Sequence, residues 1–198
     1  MKLILLMENI FVDKKFNPEN FKNSGVQTGE YDGCVFEQCD FSNTDFSSCI
    51  FIDCRFEGCN LSLVKLSKTV FRDVLFKDSK MLGLHFEQCN SNGLSVNFDH
   101  CILNQSSFYQ CKLIKTGFKN CQLLETDFTE ANISASVFER CDFKGALFEH
   151  TNLEKADMRG SINYIIDPEK NNIKKAKFSH SEIAGLLMKY NIEIDNRS

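Results

Sequence analysis

The sequence has no tryptophan and two prolines in 198 residues, and its ten glycines are scattered. Nothing in it forces a second domain. No stretch approaches the roughly 18 apolar residues of a membrane helix. The apolar run from Leu3 to Met7 is shorter than a secretory h-region and has no small-residue cleavage site after it. The expectation is a cytoplasmic protein with no membrane partner. A formal charge of −4 excludes a non-specific nucleic-acid binder held by phosphate neutralisation. Chemistry-bearing motifs are missing too: there is no GxSxG, P-loop or GxGxxG, and no CxxC. The four histidines, His85, His100, His150 and His180, stand at unrelated places. The expectation is no catalytic residues, no metal and no cofactor.

What the chain has in excess is phenylalanine, nineteen, and cysteine, ten. Both obey one period. Stepping by five from Phe11 reaches an apolar residue sixteen times running, as far as Phe86. The register breaks at Ser91, resumes two residues out of phase at Phe98, and then holds for thirteen steps to Met158. Two residues before each of these centres a small side chain is usual. Every one of the ten cysteines falls in this lattice, including Cys34, Cys54, Cys101, Cys121 and Cys141. Residues two apart in extended chain point the same way. The three remaining residues must therefore turn a corner so that the next pair again faces inward. Short sides then wind around a common axis.

Stretches such as Cys39-Asp40-Phe41-Ser42-Asn43 and Thr126-Asp127-Phe128-Thr129-Glu130 resemble the A(D/N)LXX pentapeptide repeat. The resemblance covers about residues 11 to 160. It implies four pentads per coil and an all-β fold, a right-handed quadrilateral β-helix over residues 1–160, with an N-terminal cap at about 1–10. Twenty-residue ladders such as Phe36/Phe56/Phe76, Phe118/Phe138 and Cys101/Cys121/Cys141 then form the structural core, with like residues stacked at about 4.8 Å. About seven coils make a rod roughly 35 Å long. Stability becomes a sum over neighbouring coils, so both ends need caps. The slip over 87–97, with Asn90, Asn92 and Gly93 supplying turn chemistry, reads as a small loop, a bulge or a kink. The cysteines read as small buried hydrophobes.

The repeat fades into a C-terminal module, residues 161–198. Ser179 and Glu182 have capping-box spacing, and an α-helix is expected over about 180–190. Ile183, Leu186, Leu187 and Tyr190 give it an apolar stripe, Asn191 is a plausible left-handed end, and Ile192 and Ile194 follow in a short tail. Such a stripe can seal the last coil, meet a second copy, or do both. The run from Ser181 to Ile192 resembles the C-terminal segment of Qnr-type and mycobacterial pentapeptide-repeat proteins that protect DNA gyrase from quinolones. The resemblance implies a two-fold homodimer through this helix, with Ile183, Leu186, Leu187, Tyr190, Ile192 and Ile194 at the interface.

It also implies mimicry of duplex DNA, with gyrase or topoisomerase IV as partner and no direct contact with nucleic acid. Between Glu30 and Arg159 nineteen acidic residues stand against thirteen basic ones, the sign that mimicry requires. Asp40, Asp45, Glu57, Asp127 and Asp142 are the candidates for an acidic binding face. The alternative is a scaffold with another protein partner and no role at gyrase.

Overall fold

The computed structural model describes residues 9–21 and 26–195. Each pentad forms a short extended side followed by a corner, and twenty residues complete one coil. Among the described residues, eleven strands lie on two of the four sides. The first side carries β1 (Ile10–Val12), β3 (Glu30–Asp32), β5 (Ile50–Ile52) and β7 (Val70–Arg72), paired in parallel in that order. The second carries β2 (Lys15–Phe16), β4 (Val35–Glu37), β6 (Arg55–Glu57), β8 (Val74–Lys77), β9 (Val96–Asp99), β10 (Gly117–Lys119) and β11 (Val137–Glu139), also parallel. The third and fourth sides are ladders of single parallel bridges, such as Asp40 to Asn60 to Lys80 and Ser107 to Asp127 to Leu147. The expected N-terminal cap lies outside the described residues except for Asn9 and Ile10.

The interior is filled by the centre residues. On the second side Phe36, Phe56, Phe76, Phe98, Phe118 and Phe138 form one stack, with ring centroids 4.5 to 5.5 Å apart. All are 0–1% exposed. A left-handed residue stands at most corners, as at Asn43, Ser48, Gln105, Glu130 and Ala135. Several corners close as four-residue turns: the Thr44 N–H bonds to the Phe41 carbonyl at 3.0 Å around Asn43, whose φ is 59°. Positive φ at the third position is what a type II turn requires. A non-glycine residue there costs about 1–2 kcal/mol. Burial of the adjoining centre residue contributes about 1.5–3 kcal/mol, so each corner is maintained by the core it allows.

The small position is polar as well as small. The Thr151 hydroxyl donates to the Phe128 carbonyl at 2.8 Å, Ser161 to Phe138 at 2.9 Å and Ser106 to Met81 at 2.9 Å. Thiols do the same more weakly: Cys54 points at the Tyr31 carbonyl at 3.2 Å and Cys141 at Phe118 at 3.4 Å. Serine goes further than cysteine. Ser136 donates to the Leu113 carbonyl at 2.6 Å and accepts the Thr116 N–H at 3.0 Å. These side chains satisfy buried main-chain groups at the corners. All ten cysteines are buried and unbridged.

The register slip is a bulge confined to the first side. Asn90 still bonds to the Thr69 carbonyl and Ser95 to that of Phe71, while residues 91–94 leave the wall. The second side runs through unbroken, with Phe76 opposite Phe98 instead of a residue twenty on. Coil stacking therefore continues across the insertion.

The terminal helix is wound differently from expectation: His180–Leu186 and Met188–Tyr190 form two 3₁₀ segments instead of an α-helix. The reason lies in the last coil. The Gly185 carbonyl is taken by the Ile166 N–H at 3.0 Å, which removes it from α-helical bonding. A Cβ on Gly185 would collide with the Tyr164 carbonyl oxygen. The capping box does not form either. Ser179 accepts the Gly160 N–H at 2.8 Å and Glu182 the Asn163 N–H at 3.3 Å, so both side chains fasten the segment to the solenoid. Asn191 ends it in the left-handed conformation, φ 50°.

Candidate functional site

Since side chains fill the interior, function must be sought on the outer walls and at the end. At each pentad the residues flanking the centre point outward together with the corner residue. The residue before the centre is often Asp or Asn, and its carboxyl or amide oxygen accepts a main-chain N–H two residues on. Asp40 takes Ser42 (2.9 Å), Asp45 takes Ser47 (2.8 Å), Asp127 takes Thr129 (2.8 Å) and Asp142 takes Lys144 (3.1 Å). These are Asx-turns that shape the corner. The bond holds the carboxyls of Asp40 and Asp45 below the usual aspartate range; for Asp40 the main-chain donor leads, for Asp45 the Ser47 hydroxyl.

The five candidate acidic residues are not brought together. Asp40 and Asp142 lie on the third side, Asp45 and Asp127 on the fourth, and Glu57 on the second beside Arg55. Charge is distributed by side. The second is balanced, with Lys15–Glu37, Arg140–Glu139 and Arg159–Asp157 paired at 2.6 to 2.7 Å. The first side is on balance acidic before the bulge (Glu30, Asp32, Asp53 and Asp73 against Arg72) and basic after it (Lys112, Lys115, Lys155 and Lys174 against Glu154).

The C-terminal half of the fourth side gathers Asp127, Glu130, Glu149, Asp167 and Glu169. Asp167 and Glu169 are held by Lys189 at 2.7 and 2.6 Å, Glu149 meets Lys170 at 3.0 Å, and Glu130 meets Gln110 at 2.8 Å. Asp127 and Glu130, three residues apart in one pentad, form the part of this strip with no cationic partner among the described residues. Counting by fives could not reveal the strip, because the side a residue occupies depends on its place in a twenty-residue coil and on the two-residue offset at the bulge.

The terminal segment divides its apolar residues between two tasks. Leu186 is buried, 9% exposed, and seals the last coil rather than facing outward. Ile183, Tyr190, Ile192 and Ile194 stay 38–56% exposed and Met188 57%. Leu187 is half-buried. Several large apolar side chains left exposed along one terminal segment are the kind of surface that meets a partner. Among the described residues no three His, Cys, Asp or Glu are placed to hold a metal ion, and no helix is long and apolar enough to cross a membrane.

The model of the pentapeptide repeat region matches this chain over residues 30–95 and 91–190. The chain belongs to the pentapeptide-repeat family. A search of proteins with curated descriptions found no match. Among solved structures this pentapeptide-repeat protein is similar to a trypsin-treated form of QnrB1, a plasmid-mediated fluoroquinolone resistance protein. The two are 17% identical over 94% of this chain and 99% of that one, with a TM-score of 0.47. HetL, a pentapeptide repeat protein involved in heterocyst differentiation regulation in the cyanobacterium Nostoc sp. strain PCC 7120, is 14% identical over 88% and 82%, with a TM-score of 0.31. Rfr23 from the cyanobacterium Cyanothece 51142 is 16% identical over 65% and 89%, with a TM-score of 0.23.

Proposed function

We propose that this pentapeptide-repeat protein is a non-enzymatic binding protein. It acts as a cytoplasmic homodimer joined through the terminal apolar patch, and it sets its fourth side on the DNA-gripping surface of gyrase or topoisomerase IV. The observation that carries this reading is the strip Asp127, Glu130 and Glu149 on a parallel ladder whose C-terminal end is tied to the terminal segment through Asp167 and Glu169. Duplex DNA carries one negative charge per ~1.7 Å, whereas this strip offers one or two carboxylates per coil of about 4.8 Å. Its linear charge density is therefore below that of the duplex. Shape and the length of the dimer must supply most of the binding, and the complex should depend on salt less steeply than a protein–DNA complex.

The test is a supercoiling assay with gyrase from the source organism, titrating the protein with and without a fluoroquinolone. Inhibition, or rescue from the drug, that disappears in Asp127→Lys/Glu130→Lys supports the reading. No effect at tens of micromolar protein overturns it.

A second reading, a scaffold for another protein with no role at gyrase, draws on the third side. There Leu63, 57% exposed, Leu82, Ile102, Leu124 and Ile162, 43% exposed, follow one another up the wall. Binding of that kind should disappear in Leu63→Ser/Leu124→Ser and survive reversal of the acidic strip.

A further inference from the structure

The bulge on the first side opens a cavity beside it. It measures about 470 Å³, and its walls include Glu87, Cys89, Leu94, Tyr109, Cys111 and Lys112. The opening follows from the two-residue insertion. Where other coils place a buried centre residue on this side, such as Phe71 or Leu113, the chain swings out through Gly93 (φ 85°) and returns with the half-buried Leu94. The two cysteines there are the most exposed of the ten, at 8% and 7%. Their thiols make none of the carbonyl bonds seen at Cys54 or Cys141. Burial and the neighbouring Glu87 carboxylate push the Cys111 thiol up to about 12, so it stays protonated and unreactive at neutral pH.

The feature that asks for a ligand is Glu87. Its Oε1 lies 2.8 Å from His85 Nδ1, while its Oε2 is buried with no hydrogen-bond partner. A carboxylate oxygen removed from water and left unpaired is costly, and a donor that meets it once the Glu87 side chain, 26% exposed, turns toward the cavity would recover that cost. The rest of the cavity is suited to an apolar stem, with Leu94 and the Tyr109 ring at the wall and the Phe86 ring, stacked on Phe108 at 4.6 Å, beneath. A planar guanidinium on a three-carbon stem answers both needs: its fork pairs with a carboxylate and its stem lies along apolar and aromatic surface. Tyr109 and Gln110 lie on the fourth side next to Glu130, so an arginine entering here would come from a surface already facing the acidic strip.

We infer that this cavity is an anchor pocket for a single arginine side chain of a protein partner, with the guanidinium on Glu87 and the stem between Leu94 and Tyr109. The inference rests on the reading that the partner surface is basic, and it adds the place where that surface is gripped.

The test is a ¹H–¹⁵N NMR titration of the full chain with acetyl-Gly-Arg-Gly-amide, beside the same peptide with citrulline, which keeps the shape and removes the charge. The expected result is a set of shifts confined to residues 87–94 and 109–112, at least tenfold weaker binding with citrulline, and at least a tenfold loss in Glu87→Gln. That variant keeps an oxygen for His85 and so should fold normally. Lys112→Ala, which removes a competing cation from the wall, should bind a fewfold more tightly, and Glu154→Gln on the first side should bind like the parent. Shifts spread over the acidic residues at large, equal binding of citrulline, or an unchanged affinity in Glu87→Gln would each overturn the pocket. The supercoiling assay separates the two failures: a chain that inhibits gyrase but ignores the peptide retains the proposed function and loses the anchor.

Discussion

Replacing Phe118 by alanine removes an inner ring of the longest aromatic stack, in a coil with several others on either side of it. The ring is 0% exposed, stacked on Phe98 at 4.9 Å and Phe138 at 4.8 Å, with Phe108 edge-on at 5.9 Å. Truncating a buried phenylalanine costs about 3–5 kcal/mol, and the two stacked neighbours place this site toward the upper end. A chain of this size loses roughly 2–4 °C of melting temperature per kcal/mol, so the expected drop is roughly 6 to 20 °C. Position matters as much as chemistry. In a stack where each coil contacts only its neighbours, a weak central interface uncouples the two halves, whereas a weak end merely frays. Phe178→Ala, at the half-buried last pentad, should therefore cost clearly less than Phe118→Ala, and the central variant should unfold over a broader range. Circular dichroism melts are the suitable assay, since the chain has no tryptophan. A drop under about 3 °C for Phe118→Ala, or equal drops for the two variants, would refute the picture of a stack stabilised coil by coil.

Ser136→Ala leaves the buried Leu113 carbonyl and Thr116 N–H with only their long 3.4 Å bond to each other and should cost about 1 kcal/mol, while Ala131→Ser at an equivalent position should be neutral or slightly stabilising; equal urea midpoints for Ser136→Ala and the parent would remove the hydrogen-bonding role of the small position. Burial raises the Cys54 thiol to about 12, against roughly 8.5 for an unfolded cysteine, so stability should be complete below pH 8.5 and decline above it; a urea midpoint flat from pH 7 to 9.5 would contradict this. At the acid end the depressed carboxyls of Asp40, Asp45 and Asp157 should support the fold above about pH 4 and withdraw that support as pH falls through their lowered values, visible as a falling midpoint between pH 5 and 2.5. Gly185→Ala should lift the terminal segment from Tyr164 and yield a monomer with its solenoid intact, and Ile183→Glu/Ile192→Glu should do so without moving the segment; a dimer persisting by light scattering in both would place the interface elsewhere.

The period of five was legible because each centre residue has one task, filling a narrow interior, and Phe, Leu, Ile, Val, Tyr and Met leave an unmistakable trace. The slip was legible as a change of phase, but a phase change is the same whether the rod kinks or one wall bulges. Only the pairing of Phe76 with Phe98 distinguishes the two. The small position was read as packing alone, since hydrophobicity scales place cysteine among apolar residues, yet the serines and threonines in the same column already pointed to a hydrogen bond. Asp40 and Asp127 were read as surface charge when their first duty is to hold a corner, and Asn60, Asn132 and Asn152 in the same column were the clue, because a neutral amide fulfils that duty equally. Ser179 and Glu182 had the spacing of a capping box and the wrong neighbours, for the last coil offered the Gly160 and Asn163 N–H groups to both. In a solenoid, local spacing fixes the wall of each coil, and function depends on which walls coincide after twenty residues. The acidic strip and the arginine pocket arise from that long count, into which the bulge enters as two extra residues while the walls stay in register.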